Sequence, residues 1–151
     1  MNSEHKIHLR TVAELRETFR QRGYTKGAEP LFHCPNEGKH TPSAANRRKA
    51  LGVSAGVPDL LIVHPIVVDG TTYTGLALEL KTLKGTTSAA QVQWLAYWTE
   101  AGFYACVTRG MRETAIVLQG VGLIDAVQAE RSGERPQTDR PPCITPAPRV
   151  R

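Results

Sequence analysis

The segment LALELK, residues 76–81, places an acid and a base on a predicted buried strand. Side chains alternate across a strand, so Glu79 and Lys81 share one face while three leucines occupy the other. Charged groups on such a strand are costly to desolvate unless they are paired or bind a metal ion. Asp59 begins a second apolar segment, residues 58–64, and pairing of the two strands would bring Asp59 and Glu79 to one place.

Two carboxylates beside a lysine suit a divalent cation that acts on phosphate. Hard ions such as Mg²⁺ prefer oxygen ligands and favour phosphate substrates. The cation would lower the pKa of bound water and neutralise the charge that builds up on a phosphodiester. Lys81 would orient that water or stabilise the transition state. The main-chain carbonyl of Leu80 and the carboxylate of Glu4 are further candidate ligands.

Glu4 belongs to a helix predicted over residues 4–22, with Ser3 as its N-cap. At 100° per residue, an arc of about 80° holds a stripe that begins with Glu4; its other members are His8, Val12, Leu15 and Phe19. Glu14 points about 120° from the centre of the stripe. The pattern therefore favours Glu4 as the acid of this helix, with Glu14 as the alternative.

The remaining elements predict an α/β layer arrangement. Asp69-Gly70 favours a tight hairpin between residues 58–64 and 76–81, which makes those two strands antiparallel neighbours. The other predicted strands cover residues 31–34 and 103–108, a polar loop spans 35–49, and a last helix covers about 112–118.

Gln91 has two interpretations. The sequence Ser88-Ala-Ala-Gln91 has the form of a capping box, in which the glutamine side chain bonds back to the serine amide at the start of a helix that ends before Gly102. Alternatively, Gln91 lines the site that Glu79 and Lys81 define.

Composition and charge narrow the class of protein. The chain has 151 residues and a net charge of +5, which fits one globular domain with a polyanionic partner. Residues 132–151 hold five of the ten prolines and read as a disordered Pro/Arg-rich tail after a domain over 1–131. No apolar run is long enough to cross a bilayer, and no signal peptide precedes the domain, so no membrane partner is expected.

Cysteine usage fits a reducing compartment, which predicts a cytoplasmic location. Three cysteines without a CxxC pair disfavour a disulfide framework. His33, Cys34 and His40 lie near one another, but their spacing matches no usual zinc site.

Basic residues surround the predicted site in the sequence. They are candidate contacts to a DNA backbone, or alternatively a solvated basic surface. The set comprises Lys39, Arg47, Arg48, Lys49 and Lys84.

Three motifs in this order resemble the PD-(D/E)xK nuclease superfamily and, within it, a stand-alone VRR-NUC (virus-type replication-repair nuclease) domain. They are Gly-Val-Pro-Asp-Leu at 56–60, Glu-Leu-Lys at 79–81 and Ser-x-x-Gln at 88–91. The resemblance covers residues 3–122. It implies a restriction-endonuclease-like core of order αβββαβ, with a mixed central sheet flanked by helices.

The resemblance also implies roles for single residues. Asp59 and Glu79 would bind Mg²⁺ or Mn²⁺, Lys81 would be the catalytic lysine, Gln91 would line the active site and Glu4 would be the acid of the first helix. The implied activity is metal-dependent DNA endonuclease cleavage, in a homodimer acting on branched DNA such as a Holliday junction. The alternatives are a non-catalytic module that binds DNA structures and a nuclease subunit that depends on a partner protein.

Overall fold

A computed structural model describes residues 3–35 and 41–125. In chain order the elements are α1 (Ser3–Gln21), β1 (Leu31–His33), α2 (Pro42–Ala50), β2 (Leu60–Ile62), β3 (Ile66–Val68), β4 (Thr71–Tyr73), β5 (Leu76–Lys81), α3 (Ala89–Glu100), β6 (Tyr104–Arg109) and α4 (Gly110–Gly120). The predicted tail, the predicted boundary at 131, Lys39 and His40 lie outside the described residues. No helix within 3–35 and 41–125 is long and apolar enough to span a membrane.

The central sheet has the strand order β1-β2-β5-β6 and mixed direction. β2 is antiparallel to both β1 and β5, whereas β5 and β6 are parallel because α3 crosses between them. The predicted antiparallel pairing is confirmed, with Leu60 opposite Leu78, although β2 is shorter than the apolar segment that contains it. The α/β class with a mixed sheet is confirmed.

The predicted hairpin forms a small separate sheet of β3 and β4. Asp69 and Gly70 both have positive φ, 49° and 78°, as the favoured two-residue hairpin turn requires.

Burial of β5 follows the predicted alternation. Leu76, Leu78 and Leu80 are fully buried in the main core, which α1 and α4 cover from one side of the sheet. Ala77 faces the other side, where a smaller cluster packs against Trp98 of α3. Glu79 and Lys81 therefore point to the α3 side of the sheet, just beyond this smaller cluster.

The buried face of α1 differs from the predicted stripe. The helix begins at Ser3, and its buried residues are Ile7, Thr11, Leu15, Thr18 and Phe19. His8 and Val12 lie at the margin of this face and are only half-buried. Threonine carries a methyl group that packs in a core, so counting only apolar residue types misplaced the centre of the face.

Part of the predicted loop at 35–49 is wrong, because Pro42–Ala50 forms α2. The Thr41 side chain accepts a hydrogen bond from the Ala44 N–H (3.3 Å), and Pro42 occupies the first turn. None of the residues of α2 is buried, so this helix has no apolar stripe to predict it.

Candidate active site

Asp59 is fixed at the start of β2 by bonds from both neighbouring strands. Its main-chain carbonyl accepts hydrogen bonds from the Cys34 N–H (3.1 Å) and from Nδ1 of His33 (3.0 Å). Its side-chain Oδ2 accepts the N–H of Leu80 in β5 (2.8 Å). Extending the β2–β5 register by one residue places Asp59 opposite Glu79, as the sequence predicted.

Glu79 is a buried carboxylate, only 1% exposed, in the centre of the site. Its Oε1 contacts Nζ of Lys81 at 2.7 Å and accepts a close hydrogen bond from Nε2 of Gln91. Its Oε2 is buried and has no hydrogen-bond partner among the described residues. A buried carboxylate oxygen without a partner is costly, so this atom fits a bound cation.

The charges of the site act on one another. Burial, followed by the charge of Asp59, raises the pKa of Glu79 to about 7, although the contact with Lys81 opposes the shift. Burial alone would lower the pKa of Lys81, but its contacts with Glu79 and Glu4 outweigh burial, so that pKa is raised and the ammonium stays charged. A cation between Asp59 and Glu79 would relieve their mutual repulsion.

Glu4 reaches this site from the first turn of α1. Its Oε1 lies 3.4 Å from Nζ of Lys81, and both side chains are largely shielded from solvent. Glu14, the alternative acid of this helix, instead pairs with Arg10 at 3.0 Å. The structure thus brings Glu4 to the site, across 77 residues of sequence from Lys81.

Gln91 performs both of the roles that the sequence left open. Its Oε1 accepts the Ser88 N–H (2.8 Å), and the Ser88 hydroxyl accepts the Gln91 N–H (3.2 Å), which completes the capping box. Its Nε2 remains free to donate to Oε1 of Glu79. One amide therefore ties the start of α3 to the buried carboxylate.

The main chain of Leu80 also faces the site. In an extended strand the N–H and C=O of one residue point to the same side. Because Asp59 accepts the Leu80 N–H, the Leu80 carbonyl faces the edge of β5 on which Asp59 lies. This orientation agrees with its predicted use as a ligand.

Gly56 allows the loop before Asp59 to lie directly on α3. A Cβ at this position would sit 2.7 Å from the carbonyl carbon of Ala90 and 2.8 Å from the nitrogen of Gln91. The backbone also has a φ of +85°, which favours glycine. Gly56 belongs to the Gly-Val-Pro-Asp-Leu motif, but no pattern within that segment indicates its contact with α3.

Gly56→Ala should therefore cost more stability than the same change at Gly52. Both positions have nearly equal positive φ, but a Cβ at Gly52 meets nothing within 4 Å. Backbone strain alone is worth about 1–2 kcal/mol, and the clash at Gly56 adds roughly 1–3 kcal/mol. Urea unfolding of the two variants measures the difference, and equal losses would show that the contact with α3 is loose.

These side chains enclose an open cavity of about 340 Å³. Its lining contains every predicted catalytic side chain, and comprises Glu4, Ala55, Gly56, Val57, Asp59, Glu79, Lys81, Ser88 and Gln91. Within 3–35 and 41–125, no group of three His, Cys, Asp or Glu is arranged to hold a metal ion. A cation held by two carboxylates takes its other ligands from main-chain oxygen and water, as Mg²⁺ commonly does.

The predicted DNA-contact residues in the described part of the chain, which excludes Lys39, lie outside this lining. Arg47 and Lys49 are exposed on α2, and Lys84 is exposed just after β5. The guanidinium of Arg48 is already engaged in part, because it donates a hydrogen bond to the Pro35 carbonyl.

His8 packs edge-on against His33, with ring centroids 4.4 Å apart. Since His33 in turn donates to the Asp59 carbonyl, this pair supports the position of Asp59 from outside the cavity.

The mixed sheet flanked by helices is consistent with an α/β domain of restriction-endonuclease-like architecture. No protein-family model matches the chain, and no curated protein matches it. Among solved structures, it is similar to a VRR_NUC domain protein, with 25% identity over 83% of this chain and 93% of that chain, and a TM-score of 0.54. This similarity supports the identification of the chain as a VRR-NUC domain protein.

Proposed function

We propose that this protein is a metal-dependent DNA endonuclease that hydrolyses phosphodiester bonds. The observation that carries the proposal is the unpartnered Oε2 of Glu79, buried in a cavity shared with Asp59 and Lys81. Two acids and an ammonium at one end of a buried strand suit phosphoryl chemistry better than they suit structural support. The similarity to a VRR_NUC domain protein supports the same class of reaction.

Mg²⁺ or Mn²⁺ is the proposed cofactor. Asp59 and Glu79 would hold it, with the Leu80 carbonyl and Glu4 as further ligands. When bound, the cation would neutralise charge on the scissile phosphodiester and acidify water. The ligand set is all oxygen, as these hard ions prefer.

Lys81 supplies the positive charge that the carboxylates alone lack. Glu79 and Glu4 hold its ammonium at 2.7 Å and 3.4 Å, so its position is set before a substrate arrives. From there it stabilises negative charge on a phosphate oxygen or orients the attacking water. Gln91 binds Oε1 of Glu79, which leaves Oε2 for the cation.

DNA would reach this cavity along a basic surface. Arg47 and Lys49 on α2 precede the loop that carries Gly56, while Lys84 follows Lys81 by three residues. Such contacts position a backbone without reading its sequence. The predicted contacts of Arg48 and Lys39 belong to the same proposal, which implies that DNA binding weakens steeply with added salt.

We further propose that the substrate is branched DNA, such as a Holliday junction, and that the protein acts as a homodimer. Helix α3 contains two tryptophans and a valine, yet none of its residues is buried; Val92 and Tyr97 are both more than half exposed. A second copy packed there would cover this apolar surface. Two active sites related by a two-fold axis would match the symmetry of a four-way junction.

Cleavage of labelled linear, flapped and four-way-junction DNA with Mg²⁺, Mn²⁺ or a chelator tests the proposal. We expect metal-dependent nicks that are most frequent on branched DNA. Binding without nicks in either metal would favour a non-catalytic module that recognises DNA structure. Activity that appears only after a partner protein is added would favour a nuclease subunit.

Gln91→Glu separates the two roles of this residue. Glutamate at this position still caps Ser88, so α3 should remain intact. It cannot donate to Glu79 and adds a negative charge beside it, and a lost ligand-orienting bond typically costs about 10–100-fold in activity or metal affinity. The check is the cleavage rate, with Gln93→Glu, an exposed neighbour on the same helix, as the matched control. Equal rates in both variants would make Gln91 a helix cap only.

A further inference from the structure

An apolar groove of about 600 Å³ lies beside the cavity and shares no residue with its lining. Its walls come from α1, from the turn after β5 and from the start of α4. Its lining includes Lys6, Ile7, Leu83, Lys84, Gly110 and Met111. Ile7 follows Glu4 by one turn of α1, and Leu83 follows Lys81 by two residues, so the groove begins where the cavity ends.

Leu83 is an exposed side chain on a rigid support. It is 79% exposed at the corner of a tight turn, which the Gly85 N–H closes on the Thr82 carbonyl at 2.9 Å. Arg109 Nε donates to the Gly85 carbonyl at 3.3 Å, which fastens the turn to the end of β6. Corners of tight turns usually carry Gly, Pro, Asn, Asp or Ser. A leucine held outward in such a turn is poised to contact another molecule.

The Leu83 side chain lies against Gly110 at the start of α4. A Cβ there would lie 2.9 Å from Cδ2 of Leu83, so the leucine rests against the bare backbone at the start of α4. Leu83 therefore forms part of the wall of the groove, and Ile7 and Met111 form its apolar floor.

The charges around the groove identify the chemistry of its occupant. Two exposed lysines, Lys6 from α1 and Lys84 from the turn, border an apolar floor. An occupant with a flat apolar body and flanking negative charge complements both features. A nucleotide has this composition, because its base has apolar faces and its phosphates are anionic.

We propose that this groove binds the unstacked nucleotide next to the scissile phosphate of the DNA. Leu83, Ile7 and Met111 contact its base, and the two lysines bind the neighbouring phosphates. The inference rests on the proposed nuclease function and adds a physical source for selectivity toward branched DNA. A base next to a branch point is stacked less firmly than a base within a linear duplex, so taking it out of the stack costs less free energy.

The test uses 2-aminopurine, a fluorescent base that brightens when it leaves a base stack. The cut is mapped with wild-type protein, and the probe is then placed in branched DNA beside the mapped phosphate. The binding partner is the cleavage-impaired Lys81→Met protein with Mg²⁺. We expect the probe to brighten on binding, because aliphatic side chains do not quench it as stacked bases do.

Leu83→Ser in the same background should abolish the brightening. It should weaken binding of branched DNA about tenfold, the scale expected for loss of one buried leucine contact. In otherwise wild-type protein, Leu83→Ser should also lower the cleavage ratio of branched to linear DNA. Val67→Ser, an exposed apolar position on the β3–β4 hairpin, is the matched control and should match its parent protein in all three measurements.

Each contrary result has a distinct meaning. If wild-type protein cuts DNA but the probe stays dark, or brightens equally with Leu83→Ser, the proposed role of the groove is overturned. The proposed nuclease function is then unaffected. If wild-type protein does not cut, the proposed function and this inference both fail. If Leu83→Ser changes the mass measured by sedimentation without DNA, the groove is a contact between copies of the chain and the inference is overturned.

Discussion

Replacing Asp59 with asparagine is expected to reduce DNA cleavage about a thousandfold or more. A cation contributes several kcal/mol to stabilising the charge of a phosphoryl transition state, and each 1.4 kcal/mol is roughly tenfold in rate. The amide oxygen of the new asparagine could still accept the Leu80 N–H, so β2 and β5 should stay paired. Single-turnover cleavage with saturating Mg²⁺ measures the loss, and circular dichroism checks that the fold is kept.

Asp69→Asn provides a matched control for this substitution. It also removes one carboxylate, but in the hairpin turn, where asparagine is as compatible with positive φ as aspartate. We expect Asp69→Asn to cleave at the wild-type rate. If Asp59→Asn retained a comparable rate, Asp59 would have no place in the reaction.

Replacing Lys81 with methionine is expected to lower kcat about 100- to 1,000-fold, the usual cost of removing one group that stabilises charge in the transition state. Methionine keeps most of the length and packing of the side chain, so the loss should reside in the ammonium. Affinity for DNA should change little, because Lys81 is mostly enclosed between Glu79 and Glu4. Rate and affinity are measured separately, by single-turnover cleavage and by fluorescence anisotropy.

Lys26→Met tests whether this effect arises from loss of one positive charge anywhere on the protein. Lys26 is exposed in the loop between α1 and β1, far in sequence from every lining residue of the cavity. Its replacement should leave kcat unchanged. A similar fall in kcat in both variants would show that Lys81 acts only as part of the general basic surface. A loss of DNA affinity in Lys81→Met without a loss of kcat would lead to the same conclusion.

Much of the fold could be predicted because local signals determine it. Asp69-Gly70 specifies a turn with two positive φ angles, and Ser88 with Gln91 specifies a helix start. Both elements form where the sequence placed them. The alternation along β5 separated its leucines from Glu79 in the same way, since a strand can bury only every second residue on one face.

The missed features depend on contacts between distant segments or on weak local signals. Helix α2 buries nothing, and only Thr41 followed by Pro42 marked its start. The close approach of Gly56 to Ala90 joins segments far apart in the sequence, and so does the groove beside Leu83. The pattern of residue types within one segment cannot predict a contact between segments that are far apart in the sequence.

The candidate site was predicted residue by residue, but its arrangement was not. Pairing of Asp59 with Glu79 followed from the hairpin, whereas the contact of Glu4 with Lys81 needed the packing of α1 against the sheet. The sequence offered two roles for Gln91 as alternatives. The structure shows that its two amide atoms serve both, because oxygen and nitrogen point in different directions.

Binding of a cation by Asp59 and Glu79 is measured by calorimetric titration of Mn²⁺ into wild-type protein and Glu79→Gln, in the presence of DNA whose phosphodiester bonds resist hydrolysis. The metal site proposed here predicts saturable uptake at the carboxylate pair by wild-type protein and by the surface control Glu17→Gln. It predicts loss of that uptake in Glu79→Gln. Uptake of equal strength in Glu79→Gln, or no uptake of either Mn²⁺ or Mg²⁺ by wild-type protein, would contradict it.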